Sequence, residues 1–81
     1  MRLFVGNLHF RTSEAQLIEL FSSFGEVSSV RIIIDRETKR SLGYGYVEMP
    51  HEVEAQNAME GLQGTSIEGR KMDISKTRER R

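Results

Sequence analysis

The 81-residue chain contains no cysteine, which excludes a disulfide framework and any thiolate metal site. Redox state therefore leaves the compartment open, and a reducing cytoplasm fits, or a nucleus or plastid if the source is eukaryotic. No apolar run is long enough to span a bilayer. The N-terminus passes straight into a strand pattern, so no signal peptide is expected. There are no internal repeats, low-complexity tracts or interior linkers, and this length fits one domain with a small core. Net charge is also missing, since twelve Lys and Arg balance twelve Asp and Glu. A neutral sum at first argues against a polyanionic partner. The distribution answers part of that objection. Residues 1–47 carry six basic and five acidic groups, residues 48–69 carry five glutamates and no Lys or Arg, and residues 70–81 carry six basic and two acidic groups. The local balances are +1, −5 and +4, and a partner responds to the field where it sits.

Ser13 and Gln16 have the spacing of a capping box. They open a helix with apolar residues at Leu17, Leu20, Phe21 and Phe24, the i, i+3, i+4, i+7 stripe of a buried face. Gly25 is expected to stop it. Residues 27–34 read as a strand, with Val30, Ile32 and Ile34 inward and Arg31 and Ile33 outward. Residues 35–41 are polar and read as a loop. Pro50 breaks the following strand. A second helix is expected over 52–61, burying Val53, Ala55, Ala58, Met59 and Leu62, with no capping residue at its start. Residues 63–68 read as a loop. Residues 70–75 read as a last strand, with Met72 and Ile74 inward and Lys71, Asp73 and Ser75 outward.

The most informative stretch is Leu42-Gly43-Tyr44-Gly45-Tyr46-Val47-Glu48-Met49. Side chains alternate in a strand, so both tyrosines project from one face. A pair of solvent-facing rings suits something flat, and stacking of a nucleobase on an aromatic ring is worth roughly 1–3 kcal/mol. Such rings can also simply cover their own core. Residues 3–8, Leu3-Phe4-Val5-Gly6-Asn7-Leu8, form a second strand with Phe4 opposite its aliphatic side. Paired, the two strands would cluster Phe4, Tyr44 and Tyr46. The element order is βαββαβ. It predicts an α+β, ferredoxin-like sandwich with a four-stranded antiparallel sheet and two helices on one face.

These two segments resemble the shorter and longer signatures of the RNA recognition motif, in the right order and with a suitable gap. The resemblance extends from Arg2 to about Lys76. It divides the chain into a motif over 1–76 and a charged tail over 77–81. In length and spacing the sequence is similar to small bacterial and plastid proteins made of a single such motif. By position, the resemblance implies that Phe4 and Tyr46 stack neighbouring bases and that Tyr44 packs against sugars. Asn7 would hold the loop after the first strand. Gly43 and Gly45 would keep the backbone low, where a Cβ would also have to fit the helix-packed face.

The pattern departs at three places. Leu42 stands where the family usually carries Lys or Arg, a loss that Arg40 could offset by reaching over the same edge. Met49 stands at a core-facing aromatic position, where its flexible side chain fills irregular space. Lys39 replaces a turn glycine and can accept a left-handed backbone. The cations placed to meet phosphates are Arg31, Arg36, Lys39, Arg40, Lys71, Lys76 and Arg78. Glu48 and Asp73 share the ring face and would accept hydrogen bonds from base amino groups. Ser75 to Arg78 would read base identity.

The function implied is a non-catalytic module binding single-stranded RNA, and DNA more weakly. It would act as a monomer, with no cofactor, metal, membrane or small-molecule substrate. A module of the same fold that binds protein through its helices or the acidic 48–69 segment is the alternative. Gly6 to Arg11 faintly resembles the anion loop of acylphosphatases. That activity needs a glycine-denser loop and a second-strand Asn, and the sequence has neither. No acid–base pair, nucleophile–base pair or metal spacing is present, and His9 and His51 read as ordinary loop or surface residues.

Overall fold

A computed structural model describes residues 1–77; the rest of the expected tail, including Arg78, lies outside the described residues. The elements are β1 (Arg2–Gly6), α1 (Glu14–Ser22), β2 (Ser29–Ile34), β3 (Ser41–Glu48), α2 (Glu52–Leu62), β4 (Ser66–Ile67), β5 (Arg70–Lys71) and β6 (Asp73–Lys76). Four strands form an antiparallel sheet in the order β2-β3-β1-β6, and β4 and β5 form a separate hairpin. The expected sandwich is therefore the observed one.

The sequence dictates which face is covered. Leu3 and Val5 of β1, Val47 of β3 and Ile74 of β6 share a core with Leu17 and Phe21 of α1 and with Ala55, Ala58 and Leu62 of α2. Both helices thus cover one side of the sheet. Helix α1 starts with the expected capping box: the Ser13 hydroxyl accepts from the Gln16 N–H at 3.2 Å, and the Gln16 side chain accepts from the Ser13 N–H at 2.9 Å. Such a cap contributes about 1 kcal/mol. Helix α2 has His51 at its N-cap, which makes no side-chain cap bond. Its Glu54 carboxylate reaches the segment that follows α1, accepting from the Glu26 N–H at 2.9 Å. A Cβ at Gly25 would run into that same Glu54 side chain. Gly25 therefore makes room for the Glu54 side chain, three residues after α1 has ended.

Three further expectations are corrected. Ile34 is 54% exposed, at the end of β2 where the β2–β3 register shifts between Ile32 and Ile34. Val53 is 73% exposed, since it stands off the Ala55, Ala58, Leu62 stripe. The last strand is split at Met72. Its first half, β5, pairs with β4 across a two-residue turn in which Glu68 and Gly69 both have positive φ, the type I′ geometry that suits a tight hairpin.

The sheet has two edges, β2 and β6. On β6, the Gln63 amide donates to the Ile74 carbonyl and accepts from the Ile74 N–H, both at 2.8 Å. On β2, the Glu14 carboxylate accepts from the Ile32 N–H at 3.0 Å.

Candidate nucleic-acid interface

The uncovered face of the sheet is assembled by strand register. Phe4 stands opposite Tyr46 on one side and Ser75 on the other, and Tyr46 stands opposite Arg31. One row across all four strands therefore reads Arg31, Tyr46, Phe4, Ser75. The row beside it includes Ser29, Glu48 and Arg2. Asp73 stands opposite Gly6. Ring centroids lie 5.7 Å apart for Phe4–Tyr44, 5.9 Å for Phe4–Tyr46 and 6.3 Å for Tyr44–Tyr46. All three rings are partly exposed. These separations suit tilted and edge-on aromatic packing, which adds about 0.5–1.5 kcal/mol per pair and fixes ring orientation before any ligand arrives.

Glycine makes that cluster possible in two ways. A Cβ at Gly6 would lie 2.8 Å from the Phe4 ring, so the bare residue gives the ring room along its own strand. A Cβ at Gly45 would collide with the Arg31 carbonyl. The constraint at Gly45 is thus the neighbouring strand's backbone rather than the helix layer. Gly43 has a φ of +89°, so its constraint is conformational.

The polar residues expected at the site divide into two groups. Arg31, Glu48, Asp73 and Ser75 lie on the open face with the rings. Lys71 lies in the β4–β5 hairpin outside the four-stranded sheet. Its carbonyl accepts from the Asn7 side chain at 2.8 Å, and Asn7 also accepts from Arg70 at 2.9 Å, so Asn7 holds loop to hairpin. Lys76 is a correction. It stands opposite Leu3, a core residue, and strand alternation therefore turns it to the helix side, beside Val53 and Gln56 of α2. Arg40 sits in the β2–β3 loop. That loop is tied by the Asp35 N–H donating to the Arg40 carbonyl at 2.7 Å and the Lys39 N–H donating to the Asp35 carbonyl at 2.8 Å. Lys39 takes the left-handed backbone with φ +63°.

Arg2 went unnoticed in the sequence although it is two residues from Phe4 and so shares its face. Its guanidinium lies 3.3 Å from the Glu48 carboxylate and 5.6 Å from the Tyr46 ring centre. Beside Tyr46 runs a groove of ≈ 480 Å³, walled by β2 and by Arg2, Arg36 and Glu48. His9 accepts from the Arg11 N–H, and His51 lies against Glu26 on the surface. Among the described residues no group of His, Asp or Glu is arranged to hold a metal ion. The interface offers flat apolar surface flanked by guanidinium groups.

Comparison with known proteins leads to the same place. The chain is 42% identical over 82 residues to the chloroplastic 31 kDa ribonucleoprotein of Nicotiana sylvestris, covering 99% of this chain and 26% of that protein, so it spans about a quarter of that curated relative's length. It superposes on the crystal structure of RNA binding protein PG1 with a TM-score of 0.93 at 43% identity, over 100% of this chain and 98% of that one. It also superposes on an Sxl-lethal protein/RNA complex with a TM-score of 0.90 at 28% identity, over 96% of this chain and 47% of that one. The family model described as RNA recognition motif matches residues 3–73. With that match over most of its length and the ring cluster on its open sheet, the chain belongs to the RNA recognition motif family.

Proposed function

We propose that the chain is a non-catalytic module that binds single-stranded RNA across the open sheet face, with residues 1–76 as the binding unit. The observation that carries this is the set of three rings within 6.3 Å of one another on the side the helices leave bare. Phe4 and Tyr46 stack neighbouring bases, and Tyr44 packs against a sugar. Arg31 meets a phosphate from the sheet, and Arg40 and Lys71 do so from the loop and hairpin. Arg78, outside the described residues, extends that set toward the C-terminus. Asp73, Ser75 and Glu48 offer acceptors to base edges. Stacking supplies most of the energy and tolerates any base, while the cations orient the backbone and speed encounter. The family resemblance and the RNA-bound structural neighbour support this reading.

One such surface holds about two to four nucleotides, in the micromolar range, and 2′-hydroxyl contacts favour RNA over DNA. The module works as a monomer. We place it in the cytoplasm, or in a plastid if its biology follows that of the tobacco relative. The test is a fluorescence-anisotropy titration of a short RNA pool with Phe4→Ala and Tyr46→Ala. Each substitution should weaken binding roughly tenfold or more. Unchanged affinity in folded variants overturns the stacking mechanism.

A further inference from the structure

We propose that Glu48 selects guanine: its carboxylate reads the Watson–Crick edge of a base lying against Tyr46, at the mouth of the groove along β2. This rests on the RNA-binding reading and adds a base preference that ring stacking alone does not supply.

The first observation is a misfit. The groove is set for a polyanion, with Arg2, Arg31 and Arg36 around it. Glu48 nevertheless puts a carboxylate in the same wall, where it would repel a phosphate. A carboxylate there is useful only toward a group that donates hydrogen bonds. The second observation is that Glu48 is held but not saturated. Oε2 accepts from both Nε and Nη2 of Arg2, each at 3.3 Å, and among the described residues Oε1 has only a 3.5 Å contact from the Ser29 hydroxyl. An ionised carboxylate has about four acceptor positions, so capacity remains. Arg2 and Ser29 fix its orientation from opposite sides, and an exposed pair of this length yields easily to a better donor.

The third observation is reach. Glu48 and Tyr46 are two residues apart on one strand face, which separates them by about 6.8 Å. A base resting on the Tyr46 ring extends its edge over that distance. Its phosphate then falls toward Arg31, which stands opposite Tyr46.

Hydrogen-bonding chemistry picks the base. A carboxylate only accepts. Guanine presents two adjacent donors, N1–H and N2–H, spaced to meet both carboxylate oxygens. Adenine and cytosine present one amino group next to a ring acceptor, which sets a lone pair against the second oxygen. Uracil presents N3–H between two carbonyls and is the poorest match.

The test walks a single guanosine through a uridine pentamer and measures affinity by anisotropy for the intact chain and for Glu48→Gln. The best-placed guanosine should bind about tenfold tighter than the all-uridine pentamer, the scale of one good paired base contact. Inosine, which lacks the N2 amino group, should lose several-fold of that gain. Glu48→Gln should erase the guanosine preference, so that the variant binds the best-placed guanosine pentamer and the all-uridine pentamer alike. Its thermal midpoint should stay near that of the parent, because Glu48 is half-exposed. Ser29 and Arg31 amide shifts should respond to the guanosine pentamer more than to the uridine one. Binding of every pentamer without guanosine preference overturns this proposal alone, as does a preference that survives Glu48→Gln. Failure to bind any pentamer overturns it together with the RNA-binding reading.

Discussion

The two faces of β1 and β3 are built from alternate residues of the same short segments, yet they carry different duties. Leu3, Val5 and Val47 are fully buried, while Phe4 and Tyr46, interleaved with them, stay partly exposed. The covered face holds aliphatic groups of definite shape against two helices. The open face holds rings of larger area that neither helix covers. Burial of a side chain like Leu3 is worth roughly 1.5–3 kcal/mol to folding. The same apolar character on the open face is available to a ligand. Neighbouring residues can therefore be changed with separable effects.

The largest effect is expected on the covered face. Leu3→Ala should lower unfolding free energy by about 2–5 kcal/mol in urea titration, with little change in RNA affinity at a temperature where it remains folded. Its neighbour should invert the pattern. Phe4→Ala should cost roughly 1–3 kcal/mol of binding and less stability than Leu3→Ala. If both substitutions damage stability and binding in equal proportion, the division between faces fails. Gly45→Ala tests the boundary between them, because the added methyl meets the Arg31 carbonyl. It should destabilise by about 1–3 kcal/mol and shift β2 amide resonances before those of β6. The smallest effect belongs to Leu42→Lys, which restores the family's usual cation at an exposed position. Affinity should rise a few-fold at low salt, and the slope of log affinity against log salt should steepen by about 0.7.

Much of this was legible in the sequence because it depends on local periodicity. Strand alternation placed Phe4, Tyr44 and Tyr46 together, and helical spacing placed Leu17 and Phe21 in the core. The capping box at Ser13 was visible for the same reason, since its partners are three residues apart. The misreadings have different causes. Val53 was recoverable: it precedes Ala55 by two positions, about 200° around a helix, and so cannot share that residue's face. Lys76 was recoverable too, because Ile74 is buried and alternation turns its i+2 neighbour the same way. Glu68-Gly69 is a turn signal that went unread. Ile34 and Gly45 were not recoverable. The first stands where the β2–β3 register shifts and the second is set by how closely the Arg31 carbonyl approaches, and neither leaves a periodic trace. The Arg2–Glu48 pair joins residues 46 positions apart, and only the register of β1 against β3 brings them together.

A sheet left bare on one side is also an invitation to further strands, since each border presents unpaired N–H and C=O groups. Here the Gln63 amide imitates the missing neighbour of β6 by bonding both backbone groups of Ile74, and Glu14 stoppers β2 at Ile32. The protein thereby keeps a broad adhesive plane while denying it lateral growth. A strand arriving at either border would have to displace one of these side chains first.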